Sequence, residues 1–287
     1  MSHRVFYSPQ YCAASYSFDT TRKASWIADS LERTPIPGVE VVEPQPLSVE
    51  TVAETHSQEY VDAIATGEPW SVASSQGFRW CWSLLPSVLS SNGGMVAAVR
   101  AALEDGVAGS LSSGMHHARR NAGLGFCTFN GLAIAAKESG LEDVLILDLD
   151  AHGGGGTASL ISGDVRIRQL DIATDPFDTT DDTFVATNRD DYLARLIWSL
   201  DSLERRPQLV VYNAGMDVFE EDCGFLSVND IAARETIVFQ WCHDNSIPVA
   251  YAMAGGYTGS TTRDELVALH RCTIRAANHF ASQRALA

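Results

Sequence analysis

The chain has 287 residues, 45% of them hydrophobic and 20% charged, which is enough for one large α/β domain or two small ones with a sizeable core. Its net charge of −16 argues against nucleic acid as a direct partner, because phosphate binding needs a surplus of Lys and Arg. The sequence contains no run of about 18 apolar residues and no apolar signal core near its start, so we expect no membrane span. Six cysteines are scattered without a Cys-x-x-Cys pair, which disfavours a cysteine zinc site and predicts a cytoplasmic protein.

Short apolar segments alternate with helical patterns along the chain. Strands are predicted at 5–7, 39–42, from 144, and at 165–170, 209–212 and 247–253. Helices are predicted at 22–32, 86–103, 130–137, 192–203, 229–243 and 264–283, with shorter ones beginning at 48, 57 and 157. Residues 69–79 look like a loop and 174–191 like a long acidic connection. This alternation predicts a single α/β domain over 1–287, with a mostly parallel sheet covered by helices on both faces.

The most informative stretch is 144–157, an apolar run that ends in ionisable groups. Asp148, Asp150 and His152 are spaced two residues apart, so in an extended chain they point to the same face. Burying two carboxylates without a cation is very costly, and Asp and His are both zinc ligands. We therefore expect a divalent metal here; the competing interpretation is that the acids only cap the next helix.

Other reactive side chains are also predicted at the carboxyl ends of strands, where ligands collect in parallel sheets. Asp217 follows the strand at 209–212 and is the best third metal ligand, although a lone acid there could also be a helix cap. His116 and His117 could move protons near neutral pH, unless their adjacency is accidental. Tyr257 follows two glycines and could donate to a developing oxyanion, or simply pack over the last helix.

Several segments occur together in an ordered series. They are Gly114-Met115-His116-His117-Ala118, Gly125-Phe126-Cys127-Thr128-Phe129-Asn130, Asp148-Leu149-Asp150-Ala151-His152, Ala214-Gly215-Met216-Asp217 and Gly255-Gly256-Tyr257, with Thr55-His56-Ser57-Gln58-Glu59-Tyr60-Val61 upstream. In this combination they resemble the histone deacetylase family, which includes bacterial acetylpolyamine amidohydrolases. The resemblance covers nearly the whole chain and implies the arginase–deacetylase α/β fold.

The same resemblance implies roles for individual residues. Asp150, His152 and Asp217 would bind Zn²⁺; His116 and His117 would be the catalytic pair; Tyr257 would polarise the scissile carbonyl. Asp148 would contact His116 and help to hold a structural K⁺ or Na⁺. Phe126, with Gly125 beside it, would form one wall of the substrate tunnel, and Phe177 is the loosely aligned candidate for the other. Polyamine-type relatives also suggest a homodimer.

The chain departs from the family pattern after His152. Gly155 stands where family members carry a polar residue that orients the second histidine, so His117 would rely on water or another group. The usual rim loop is replaced by an acidic segment that contains Asp175, Asp178, Asp181 and Asp182, preceded by Asp171. These carboxylates could attract a cationic substrate to the tunnel mouth, or they could serve solubility alone.

The function expected from the sequence is zinc-dependent hydrolysis of the amide of an N-acylated primary amine, of acetyl-lysine or acetylpolyamine type, by metal-activated water. One alternative is an arginase-like ureohydrolase with two manganese ions, but the sequence lacks a second acid-rich segment and would leave Tyr257 idle. The other is a non-catalytic binder of acyl ligands, which the Gly155 departure makes plausible.

Overall fold

Eight parallel strands form the centre of the computed structural model, which describes residues 3–14, 16, 18–259 and 261–284. The first two residues of the amino-terminal segment thus lie outside it. The strands are β1 (His3–Phe6), β2 (Val39–Val42), β3 (Val107–Ser110), β4 (Val144–Asp148), β5 (Ile167–Ala173), β6 (Phe184–Val185), β7 (Leu209–Gly215) and β8 (Val249–Ala254). Their order across the sheet is β2-β1-β3-β8-β7-β4-β5-β6, and every described pair is parallel. The predicted parallel sheet is confirmed.

Helices cover both faces of this sheet. They are α1 (Lys23–Arg33), α2 (Val49–Ala53), α3 (Gln58–Thr66), α4 (Trp70–Ala73), α5 (Leu84–Asp105), α6 (Gly131–Glu138), α7 (Gly155–Ile161), α8 (Arg189–Asp201), α9 (Val228–Asp244) and α10 (Arg263–Arg284). One core holds side chains of α1, α8, α9 and α10, and the other holds those of α2, α3, α5, α6 and α7. Within the described residues, no helix combines the length and apolarity needed to cross a membrane.

The apolar residues of β4 contribute side chains to both hydrophobic cores. Leu145 and Leu147 point into one core, whereas Val144 and Ile146 point into the other, as the alternation of a strand requires. All five residues of β4 are buried. A strand buried on both faces is therefore a continuous hydrophobic run, and the acids at its end stand out against that pattern.

The acidic connection predicted at 174–191 is shorter than expected. It contains the short strand β6, and α8 already begins at Arg189. The Asn188 side chain caps α8 by accepting from the backbone N–H of Asp191 at 3.0 Å. Asp190 and Asp191 lie in the first turn, where negative charge is favourable against the helix dipole.

Candidate active site

The carboxyl ends of β4, β7 and β8 lie side by side and carry the predicted site residues. In the sheet register, Asp148 pairs with Asn213, and Asn213 pairs with Ala252. The segments that leave these three strands hold Asp150 and His152, Asp217, and Tyr257. The structure thus brings residues separated by more than a hundred positions to one edge of the sheet.

Asp150, His152 and Asp217 form a compact group in which each residue offers a ligand atom within 4.8 Å of the others. Among the residues that the structure describes, the buried Asp217 Oδ2 has no hydrogen-bond partner. Burial and the neighbouring charge of Asp150 raise the pKa of Asp217, so the two carboxylates disfavour each other's ionisation. A Cβ at Gly255 would collide with the Asp217 carboxylate, which shows how closely the backbone surrounds it. An unpartnered buried oxygen within two carboxylates and an imidazole fits a divalent cation.

Hydrogen bonds hold these three side chains in place. Asp217 Oδ1 accepts from the backbone N–H of Ala151 at 2.9 Å. Asp150 Oδ1 accepts from the backbone N–H of His152 at 3.1 Å. His152 Nδ1 lies 3.2 Å from Asp150 Oδ1 and 3.4 Å from Asp217 Oδ2, so Nδ1 is the ring nitrogen that faces the carboxylates.

His116 is buried between two carboxylates. Its Nδ1 donates to Asp148 Oδ2 at 2.9 Å, and its Nε2 lies 3.5 Å from Asp150 Oδ1. Burial lowers the pKa of His116, but the charges of Asp148 and Asp150 outweigh burial and raise it to about 10. His116 is therefore positively charged at neutral pH.

His117 has the opposite character, although its ring lies only 3.9 Å from that of His116. Burial and the positive charge of His116 lower the pKa of His117 to about 4, against the influence of Asp178. His117 Nδ1 lies 2.8 Å from Asp178 Oδ2. Because an ionised carboxylate can only accept, Nδ1 carries the proton and Nε2 keeps its lone pair. One neutral and one charged histidine thus stand side by side.

Tyr257 lies on a turn that charged side chains hold from several sides. Lys23 Nζ donates to the carbonyl oxygen of Gly255, and Asp222 Oδ2 accepts from the backbone N–H of Tyr257 at 3.0 Å. Asp19 Oδ2 accepts from the backbone N–H of Thr258 at 2.6 Å. Burial, followed by the charge of Asp217, raises the pKa of Tyr257 well above its usual value. Its hydroxyl therefore remains a proton donor.

The cleft is lined by Tyr257 and the two histidines, with further aromatic side chains close by. Gly125 and Phe126 both have positive φ, of 51° and 65°, in the tight turn beside His117. The ring of Phe126 lies 4.0 Å from that of Phe18. Phe177 is 44% exposed and packs edge-on against His117 at 5.1 Å. Phe177 thus lies beside His117, whereas the Phe126 ring packs against Phe18 and Phe78, and the two predicted tunnel walls stay a prediction.

The acids of the segment that replaces the rim loop were expected to face solvent or the tunnel mouth. This prediction is wrong for two of them, Asp171 and Asp178. Asp171 lies within β5, is 7% exposed, and accepts from the backbone N–H of Gly154 at 2.9 Å. The Asp178 side chain is 5% exposed and faces His117 rather than solvent. Asp181 and Asp182 are exposed. In this loop, Asp181 and Asp182 are therefore the acids placed to act on a substrate from solvent.

The loop that carries the two histidines is held from behind by His56 and Asn130. The Asn130 side-chain amide donates to the carbonyl oxygens of His116 at 3.3 Å and Ala118 at 3.2 Å. The backbone N–H of Asn130 donates to His56 Nε2 at 3.0 Å, and His56 Nδ1 lies 2.8 Å from the carbonyl oxygen of Arg119. The upstream segment at 55–61 thus supports the site from outside.

The predicted monovalent cation beside Asp148 stays a prediction. Asp148 Oδ1 accepts from Asn213 Nδ2 at 2.8 Å, and Oδ2 accepts from His116. Asp171 pairs with Asp148 in the sheet register, and its Oδ1 has no hydrogen-bond partner among the described residues.

Sequence reasoning assigned no role at the site to Asp19, Asp222 or Asp178. Asp19 and Asp222 hold the Tyr257 turn, but single acids far from any motif give no signal in the sequence. Asp178 was recognised only as one acid of the rim loop. The run of glycines at 153–156 was the sequence signal for the position of Asp178, because residues without side chains leave space for another segment.

Comparisons with known proteins found a matching family model, similar relatives and a similar solved structure. The sequence model of the histone deacetylase domain matches residues 17–272. Histone deacetylase 2 of Arabidopsis thaliana is 30% identical over 250 residues, which cover 78% of this chain and 65% of that protein's length, just under two thirds. A probable deacetylase of Methanothermobacter thermautotrophicus is 27% identical over 254 residues, or 75% of this chain and 73% of that protein. The crystal structure of the HDA15 HD domain has the same fold, with a TM-score of 0.79 and 16% identity over 98% of this chain and 90% of that one.

Proposed function

Because the chain belongs to the histone deacetylase family, we propose that it is a metal-dependent deacetylase that hydrolyses the amide of an N-acylated primary amine. The observation that carries this proposal is the convergence of Asp150, His152 and Asp217 with His116, His117 and Tyr257 on one cleft. Relatives named as deacetylases support the reaction class.

The proposed metal ligands are Asp150, His152 and Asp217. Two carboxylate oxygens and one imidazole nitrogen are a donor set typical of catalytic zinc. Zn²⁺ bound there would supply Lewis acidity, which polarises a carbonyl and lowers the pKa of water.

The two histidines would divide the proton chemistry. We assign His117 as the general base that takes a proton from water and returns it to the leaving amine, because it is neutral at pH 7 and its Nε2 lone pair is free. His116, held charged by Asp148, would stabilise negative charge that develops on the substrate.

Tyr257 would donate a hydrogen bond to the oxygen of the scissile carbonyl. Its raised pKa keeps the hydroxyl protonated, and three charged side chains fix the turn on which it stands. Such a preorganised donor lowers the barrier without reorganising during the reaction.

The substrate would enter between Phe126 and Phe177, with Gly125 allowing its approach to His117. A narrow aromatic passage suits a linear amine chain, as in acetyl-lysine or an acetylpolyamine. The contact between Asp178 and His117 supports catalysis over the non-catalytic alternative, because it gives His117 a partner despite Gly155. In the described part of the chain, one group of side chains could hold a metal ion, whereas the arginase-like alternative needs two ions.

The test is a screen of acylated lysine peptides against acetylated polyamines with zinc-loaded protein, measuring the free amine released. We expect turnover on at least one of these classes and none after Asp150→Ala. Turnover of neither class, with zinc bound, would contradict the proposal. The variant Asp201→Asn, at an exposed residue outside the cleft lining, provides a control for handling and metal loading.

A further inference from the structure

Two of the four glycines at 153–156 leave space that a distant segment fills. A Cβ at Gly153 would lie 2.5 Å from Thr179 Cα, and one at Gly155 would lie 2.6 Å from the carbonyl oxygen and 2.7 Å from Oδ1 of Asp178. The backbone N–H groups of Gly153 and Gly155 donate to the carbonyl oxygens of Phe177 at 2.8 Å and Asp178 at 3.0 Å. Side chains at Gly153 and Gly155 are thus incompatible with this loop position.

The loop enters this space in a conformation that aims one carboxylate inward. Asp178 has a φ of 55°, in the left-handed region that Asp and Asn tolerate better than most residues. Its Oδ2 accepts from His117 Nδ1 at 2.8 Å and from Arg119 Nη1 at 3.2 Å, and its Oδ1 accepts from Arg119 Nη2. Burial raises the pKa of Asp178, but hydrogen bonds from His117 and Arg119 outweigh burial and hold it below its usual value.

We propose that Asp178 is the positioning residue for His117 and replaces, from a different loop, the polar side chain that Gly155 lacks. By accepting from Nδ1, the carboxylate fixes the tautomer whose Nε2 lone pair faces the cleft. Arg119 keeps the carboxylate ionised, so that it accepts a proton and does not donate one. This inference rests on the proposed function, in which His117 is the general base.

Two substitutions remove the carboxylate without straining the loop, because Asn and Gly both tolerate the positive φ. We expect Asp178→Asn and Asp178→Gly to lower kcat by about tenfold to a hundredfold, with KM changed by less than about threefold. The exposed Asp201→Asn, at the end of α8 and outside the cleft lining, serves as the matched control and should keep kcat within about twofold. If Asp178→Gly keeps kcat within about threefold of the unmodified protein, the inference is wrong.

The tautomer itself can be measured without any turnover. In zinc-loaded protein labelled with ¹⁵N-histidine, we expect the His117 ring to carry its proton on Nδ1, and Asp178→Gly to shift the population toward the Nε2–H form. An unchanged tautomer in that variant would overturn the inference even if the protein deacetylates amines. Conversely, unmodified protein without turnover would contradict the proposed function while the ring spectrum still decides the role of Asp178.

Discussion

Acid should weaken the fold through His56, which is 0% exposed and supports the histidine loop. Burial, with smaller contributions from Lys137 and Arg120, lowers the pKa of His56 to about 4 from its ordinary 6.5. Between these values the unfolded chain binds a proton that the folded protein does not, so stability falls as pH falls from about 6.5 to about 4. The difference of about 2.5 pKa units is worth about 3 kcal/mol, since each unit corresponds to about 1.4 kcal/mol.

The comparison variant is His56→Gln, whose amide can still donate and accept but does not titrate. The free energy of unfolding of both proteins would be measured by urea denaturation from pH 8 to pH 4. We expect their difference to be constant above about pH 7 and the unmodified protein to lose up to about 3 kcal/mol relative to the variant by pH 4. Parallel curves over the whole range would refute the reasoning that His56 is buried in its neutral form.

Three further predictions concern the site. Asp217→Ala should abolish zinc binding while leaving a folded protein, because two remaining ligands hold zinc weakly; full zinc occupancy by metal analysis would remove Asp217 from the ligand set. Tyr257→Phe should reduce turnover by about a hundredfold to a thousandfold, or about 3–4 kcal/mol, and a loss below about threefold would make Tyr257 structural. If Asp181 and Asp182 attract cationic substrates, kcat/KM for an acetylpolyamine should fall as salt rises, while kcat/KM for a neutral acetyl-amide stays flat. Changing Asp181 and Asp182 to Asn should remove this difference. Parallel salt profiles in the unmodified protein would leave the two acids a role in solubility alone.

Local patterns in the sequence identified most elements because local physics decides them. Ser48 and Ser57 were expected to begin helices, and both side chains cap one by accepting from a backbone N–H in its first turn. The apolar run from Val144 was expected to be a buried strand with its acids at the carboxyl end, and β4 ends at Asp148. Hydrophobic period and capping chemistry are sufficient for such elements.

Strand β3 was missed because its residues do not favour a strand by themselves. Val107–Ser110 reads Val-Ala-Gly-Ser, which is short and poor in β-branched residues. A Cβ at Gly109 would collide with the ring of Tyr251 on the adjacent β8, so the glycine is required by a neighbour 142 positions away (251 − 109). Long-range packing of this kind leaves no periodic signal along the chain.

In the candidate site too, features that depend on local sequence could be predicted, and those that depend on long-range packing could not. Asp150 and His152 were expected to lie together after β4, and His152 Nδ1 lies 3.2 Å from Asp150 Oδ1, because two residues so close along the chain meet through local structure. The partner of His117 could not be deduced, because Asp178 reaches it only through the three-dimensional packing of its loop against the glycine run. The loop that contains Asp178 aligns only loosely with the family pattern. The sequence alone therefore did not reveal the contact between Asp178 and His117.

Titration of metal-free protein with Zn²⁺, following hydrolysis of an acylated lysine peptide or acetylpolyamine at each addition, tests the central claim most directly. The account predicts negligible turnover without metal and a rise that reaches its maximum at one zinc per chain, with no such rise in Asp150→Ala. Full turnover in the stripped protein, or a maximum that requires two metal ions per chain, would contradict it.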